Sequence, residues 1–405
     1  MVCQRGNSNF MLFTILPPRH PTLFIVFHQL PHLFSCSFEF AFHANISPVF
    51  ASGFNRVSSY AYLAKRSQSR RPHARSQLDI IATMPIFLLI LIATLALAQP
   101  PAMSVVEKKS GMLAFYSADG KRLNATKVGQ FPHEQIFSPD RKTIYVTDNG
   151  LLWMTDPGDG TNTISIIDVA SQKRTGVIDL GKYHRPHGMA LDPKTNRLIV
   201  TVENPNGLVL IDLNTRKIVR MYDVEGNNPH MAIFGPKAEW AYVSNTNSGA
   251  VAAIHLASAK VKLIPTGKRP QGAVMTRDGR TIYVTNIDSK TISRIDTVKN
   301  EVTGEIQTSG GPARIAFTPD EKTLVYNLQN EEGCAFADVA TMKEVGSVKI
   351  PGKPLSLSLS REGTKAYLGL QDSDKIAIVS VPSRKLAKVI TSPPKSGPDT
   401  ILELP

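Results

Sequence analysis

The chain has 405 residues, and 42% of them are hydrophobic, enough for a sizeable core. Its formal net charge is +13, but residues 1–98 carry 8 Lys+Arg against 2 Asp+Glu, and residues 99–405 carry the remaining 38 against 31. The excess in the longer part is scattered without a run of five like charges, so it reads as a solvated surface, and nucleic acid is not expected as a partner.

Residues 1–83 are rich in Phe, His, Pro and Ser and hold seven Arg against one Lys, whereas residues 99–405 hold 24 Lys against 14 Arg. Stretches such as LFTILPPRHPTLFIVF are broken by Pro and His and are expected to form neither helix nor strand. Residues 1–83 therefore read as a leader outside the fold: upstream sequence behind an over-extended start codon, or a disordered segment. Residues 84–98, MPIFLLILIATLALA, end in Ala96-Leu97-Ala98, the small-x-small pattern of a signal peptide cleaved before Gln99. No Lys or Arg lies between Met84 and the apolar run; an α-amino group at Met84 would supply the positive charge. The rival reading is a retained anchor, because residues 80–98 are 19 uncharged residues, long enough to span a bilayer. On either reading the domain at 99–405 is exported, to the periplasm or beyond the cell. The membrane is a partner only through an uncleaved N-terminal segment. Cys3, Cys36 and Cys334 are the three cysteines. Only Cys334 lies in 99–405, so that domain must hold by packing without an internal disulfide.

From residue 132 the chain repeats itself. TIYVTD (143–148), WAYVSN (240–245) and TIYVTN (281–286) are near copies of one word. Each follows a turn and, before that, a short apolar strand opened by proline. Those prolines are 132, 186, 229, 270, 312, 354 and 398, at intervals of 54, 43, 41, 42, 42 and 44 residues. A period near 42 is that of a four-stranded propeller blade. In 270–311, QGAVMT, TIYVTN, TISRID and VTGEIQT are the predicted strands, β-branched and bounded by turn residues. The Asp closing the third strand (Asp168, Asp212, Asp296) suits an Asx-type turn and is a structural device. Six units run from Pro132 to Gly397. The tail PDTILELP supplies one strand of a seventh, and SVVEKK, MLAFYS and LNATKVG supply the other three, so the ring closes with no open edge.

This phased pattern, PxxxAxxPDGxxxYVTN…VxxID, resembles the YVTN-repeat family of seven-bladed β-propellers over residues 104–405. The resemblance implies an all-β seven-bladed propeller on an exported protein, and no single function, since members differ in role. A monomer is expected.

Candidate chemistry gathers on the rim where inner strands begin. The residue after each proline reads His133, His187, His230, Gln271, Ala313, Leu355 and Asp399 round the ring. Three of the five histidines in 99–405 share this position. Imidazoles from adjacent blades could hold a divalent transition metal such as Zn or Cu with one open position. In using channel histidines the pattern is similar to metal-dependent propeller lyases of the amidating and streptogramin-cleaving types, whose other motifs are absent here. The structural alternative is a duplicated rim residue. The long 148–162 loop carries Trp153, Asp156 and Asp159 and is expected beside His133. Trp153, Tyr183, His184, Arg185 and Arg314 are candidate ligand contacts, the arginines for an anionic group. Glu203, grouped with Asp148, Asn245, Asn286 and Gln329 at the end of the second strand, is the candidate catalytic acid or base. GxSxG, HExxH, P-loop and CxxC motifs are absent. Three functions remain open: small-ligand or metal binding at the channel mouth, a metal-dependent lyase or lactonase at the same site, or a scaffold gripping another exported protein or cell-wall polymer.

Overall fold

A computed structural model describes residues 99–405 and, before them, four short strands only: Val2–Arg5, Met11–Ile15, Leu23–Phe27 and Phe38–Phe40. The chain divides into two units, Met1–Leu88 and Leu89–Pro405. In the first, the four strands pair antiparallel in chain order. The expectation that LFTILPPRHPTLFIVF forms no strand is corrected: between its proline and histidine breaks, MLFTI and LFIVF are each the length of one strand. Residues 84–98, expected to be a signal peptide, lie outside the described residues.

The second unit contains seven four-stranded antiparallel sheets, each in chain order from inner to outer strand except the one that joins the termini. Numbering starts at that closing sheet. Blade 1 sets Pro398–Glu403 beside Pro101–Glu107, Met112–Ser117 and Arg122–Lys127, in the register Pro398↔Glu107 and Ile401↔Val105. Blades 2 to 7 span 132–179, 184–222, 229–265, 270–307, 312–349 and 358–391. The expected seven-bladed propeller and its closure stand as read. The core lies between neighbouring blades: Ile199, Leu208 and Leu210 of blade 3 pack with Ala232, Val243 and Ile254 of blade 4 in one buried cluster.

The opening proline recurs for a structural reason. It has no N–H to donate, and in six blades the ladder slips immediately after it, for example between Pro132 and Gln135. At this bulge His133, His187, His230, Gln271, Arg314 and Asp399 reach the cavity at the channel mouth. The Asp at the end of the third strand works as expected: Asp212 Oδ1 accepts from the N–H groups of Asn214 and Thr215 at 2.8 and 3.0 Å.

Candidate functional site

The repeated word positions the site through its threonine. Thr201 Oγ1 accepts from Gly188 N–H of its own inner strand at 2.8 Å and donates to His230 O of the next blade at 2.7 Å. Thr147 likewise accepts from Glu134 N–H at 3.0 Å and donates to His187 O at 3.0 Å. Thr400 donates to His133 O at 3.0 Å. Each histidine backbone is thus bolted to the preceding blade by a threonine hydroxyl, buried at Thr147 and Thr201 and partly buried at Thr400. Thr285 makes the same bridge to Ala313 O at 2.6 Å where no histidine follows. Gly188 is required by the close approach, since a Cβ there would lie 2.3 Å from His230 O.

Held this way, the three imidazoles form a tilted stack. Ring centroids of His133 and His187 are 4.3 Å apart, as are those of His187 and His230, with planes inclined by 41° and 51°. The stack is buried and capped by a cation at each end. Lys108 Nζ donates to His133 Nδ1 at 3.2 Å. Arg314 Nη1 lies 3.2 and 3.3 Å from the two ring nitrogens of His230. Arginine can only donate, so the His230 nitrogen it meets must offer a lone pair. Burial, reinforced by neighbouring cations and histidines, holds His133 and His230 well below the usual histidine range, so both rings are neutral.

Three carboxylates face these groups. Glu134 Oε1 accepts from Arg314 Nη2 across the channel at 2.5 Å. Asp399 lies 3.7 Å from Lys108. Burial lowers the Lys108 pKa to about 8 and raises that of Asp399, so desolvation outweighs their attraction. Glu203 Oε1 lies 2.9 Å from His187 Nδ1, which selects the tautomer with the proton on Nδ1. His187 Nε2 is then left with a lone pair, buried and without a partner; Arg314 Nε is also buried and unpartnered.

Three imidazoles around one metal ion were expected from the sequence; the structure brings His133, His187 and His230 together as a tilted stack. Lys108, Glu203 and Arg314 engage one or both nitrogens of each ring, and two of these three are cations that would repel a metal. Among the described residues no group of three or more His, Cys, Asp or Glu is arranged to hold a metal ion.

A cavity of about 230 Å³ opens onto the stack, walled by the three histidines, Lys108, Arg314 and Asp399 and roofed by Leu152–Thr155 of the long loop. Trp153 is 38% exposed and sits over Lys108, its ring centroid 5.5 Å from Nζ. Of the five predicted ligand contacts, Trp153 and Arg314 line the cavity. Arg185 acts from behind: its Nη2 donates to Met154 O at 2.7 Å and lies 2.7 Å from Glu203 Oε2, tying the roof to the carboxylate that orients His187. Tyr183 packs on the hydrophobic cluster of blades 2 and 3, and neither it nor His184 lines the cavity. Asp156 and Asp159 hold the loop itself, through Trp153 N–H and Asn204 Nδ2.

The grouping of Glu203 with Asp148 is out by one residue. Pro132 pairs with Asp148, Pro186 with Val202, Pro229 with Asn245 and Pro270 with Asn286. Glu203 therefore shares its place with Asn149, Thr246, Ile287 and Gln329. Adjacent strand residues face opposite ways. Asp148 turns outward, accepting from Gly129 N–H, Thr163 and Ser165, while Glu203 turns to the channel. In blade 1, Pro398 pairs with Glu107, so the residue matching Glu203 is Lys108. Lys108 and Glu134 are the site residues that sequence reasoning missed; the corrected register points to Lys108.

No family model matches the chain, and neither does any curated protein. Among solved structures, it is similar to a functionally unknown protein from Desulfotomaculum acetoxidans DSM 771 at TM-score 0.64 and 14% identity, covering 75% of this chain and 99% of that one. It is similar to the Pseudomonas aeruginosa periplasmic gluconolactonase PpgL at TM-score 0.61 and 15% identity, with the same coverages of 75% and 99%. The dihydro-heme d1 dehydrogenase NirN matches at TM-score 0.56 and 16% identity over 77% of this chain and 78% of that one. At these identities the likeness establishes a shared β-propeller fold and nothing of substrate or cofactor.

Proposed function

We propose that this chain is an exported propeller of the YVTN-repeat type whose channel mouth binds a small anionic molecule bearing a carboxylate. The observation that carries this reading is that Arg314 and His187 line one cavity and each holds a buried atom, Nε and Nε2, without a partner among the described residues. Buried polar atoms are seldom left unpaired, so a bound molecule or ordered water completes them. Arg314 and Lys108 supply donors that no other group in the site exhausts. The cavity of about 230 Å³ equals roughly eight waters at about 30 Å³ each, the size of a small sugar acid.

Calorimetric titration of the full chain with a panel of small carboxylates and sugar acids tests this. Binding should weaken at least tenfold in Arg314→Gln and be unchanged by a metal chelator. Loss of binding on chelation, or indifference to Arg314→Gln, would overturn it. Export rests on residues 84–98; N-terminal sequencing of protein recovered from outside the cytoplasm should begin at Gln99.

The His187–Glu203 pair favours a second reading, metal-independent hydrolysis of a small lactone. His187 Nε2 would take a proton from water as that water attacks the carbonyl, with Arg314 and Lys108 facing the developing oxyanion. The ring-opened hydroxy acid would then bear the carboxylate that Arg314 receives. The likeness to a gluconolactonase supplies a first substrate to try. His187→Ala should lower kcat/KM by about 100-fold or more while the fold is retained. Equal turnover by the variant would leave binding alone.

A further inference from the structure

We propose that Lys108 captures a small oxo acid as a covalent imine, the carboxylate of the ligand lying on Arg314. This rests on the anion-binding reading and adds an electrophile to it. The amine lines the cavity yet is 3% exposed, and its polar neighbours are few: His133 Nδ1 at 3.2 Å and Asp399 Oδ2 at 3.7 Å. A lysine needed only for its charge would be expected in a closer ion pair than this. Lysines used as amine nucleophiles are desolvated and set beside another cationic group, and Lys108 has both conditions, with Arg314 across the same cavity. Burial brings its pKa down to about 8, leaving a usable share of free amine near neutrality.

The neighbours match the proton transfers. His133 is neutral, and its Nδ1 takes a proton from the ammonium. The free amine then adds to the oxo carbon, forming the C–N bond. His133 then returns that proton to the carbinolamine oxygen, which leaves as water, and Asp399, 3.7 Å from Nζ, faces the positive imine as its counter-charge. The sum is oxo acid plus Lys108 ammonium giving the protonated imine plus water, with no redox change. Trp153 above Nζ shields the linkage from bulk solvent.

The test uses pyruvate and glyoxylate with the full chain. Titration without reductant reads binding. Incubation with cyanoborohydride, which delivers hydride to the imine carbon, traps any linkage as a secondary amine, located by peptide mapping. Lys108 should be labelled at least tenfold faster than exposed lysines such as Lys121 and Lys127. Label at this position should vanish in Lys108→Met, and Arg314→Gln should slow trapping by a similar factor. Binding heat with label spread evenly over exposed lysines would overturn the imine and leave anion binding standing. Absence of both heat and selective label would overturn both. Because wild-type mapping alone decides the matter, a variant that fails to fold does not rescue it.

Discussion

Two arcs of the channel mouth share one backbone and differ in chemistry. In blades 2 to 4 the residue after the opening proline is His133, His187 and His230; in blades 5 to 7 it is Gln271, Ala313 and Leu355. The threonine bridge serves both arcs, from Thr201 to His230 O and from Thr285 to Ala313 O. Blade 6 substitutes Asn327, which donates to Pro354 O at 2.7 Å. The repeated word is therefore an instruction for joining blades, and it says nothing about ligand. The chemistry of the candidate site resides in the residues that the repeat leaves free to vary.

Removing the bridge gives the largest expected effect. Thr201→Val leaves Gly188 N–H and His230 O buried without partners, a cost of about 2–5 kcal/mol. Ser244, at the matching place in blade 4, has a buried hydroxyl that bonds to nothing, so Ser244→Ala should cost close to zero. Urea midpoints of the two variants make the comparison directly, and equal losses would refute the bridging role.

Lys108 comes next. Its native pKa of about 8 lies below the 10.5 of the unfolded chain. Between these values the unfolded state holds more protons, so stability should rise with pH from 8 to 10.5 by about 3 kcal/mol. The penalty is fully present below pH 8. Lys108→Met should flatten this rise; a profile identical to wild type would show the amine to be solvated.

The histidine arc should respond to acid. His133 and His230 stay neutral in the native state well below 6.5, while their unfolded counterparts protonate. Their penalty is absent above pH 6.5 and grows as pH falls below it, by about 1.4 kcal/mol per pH unit for each ring. Thermal melts of His133→Asn between pH 6.5 and 5.5 should show a shallower slope than wild type. The smallest expected effect is at Cys334, buried and with its thiol pushed up to about 12: a thiol reagent should not label the native protein.

The fold was legible because its signals are periodic. Prolines at intervals near 42 residues and the returning word outweigh errors at any single position. The site was legible only in part. Clustering of His133, His187 and His230 could be read, but their mutual orientation could not, since it depends on how far the bulge rotates each ring. Lys108 stayed hidden because its own repeat is split between the chain ends, where no neighbouring unit fixes the count. A shift of one residue at Glu203 inverted which way its side chain faces, and that shift follows from a register that only the paired strands define. The contact between Glu134 and Arg314, 180 positions apart, leaves no local trace.

The closing blade has a temporal consequence. Pro398–Glu403 brings Asp399 beside Lys108 and Thr400 beneath His133. Blades 2 to 7 are complete by residue 391, but the pocket lacks part of its wall until residues 398–403 are in place. A chain cut short by a handful of residues loses ring closure and one wall of the cavity at once.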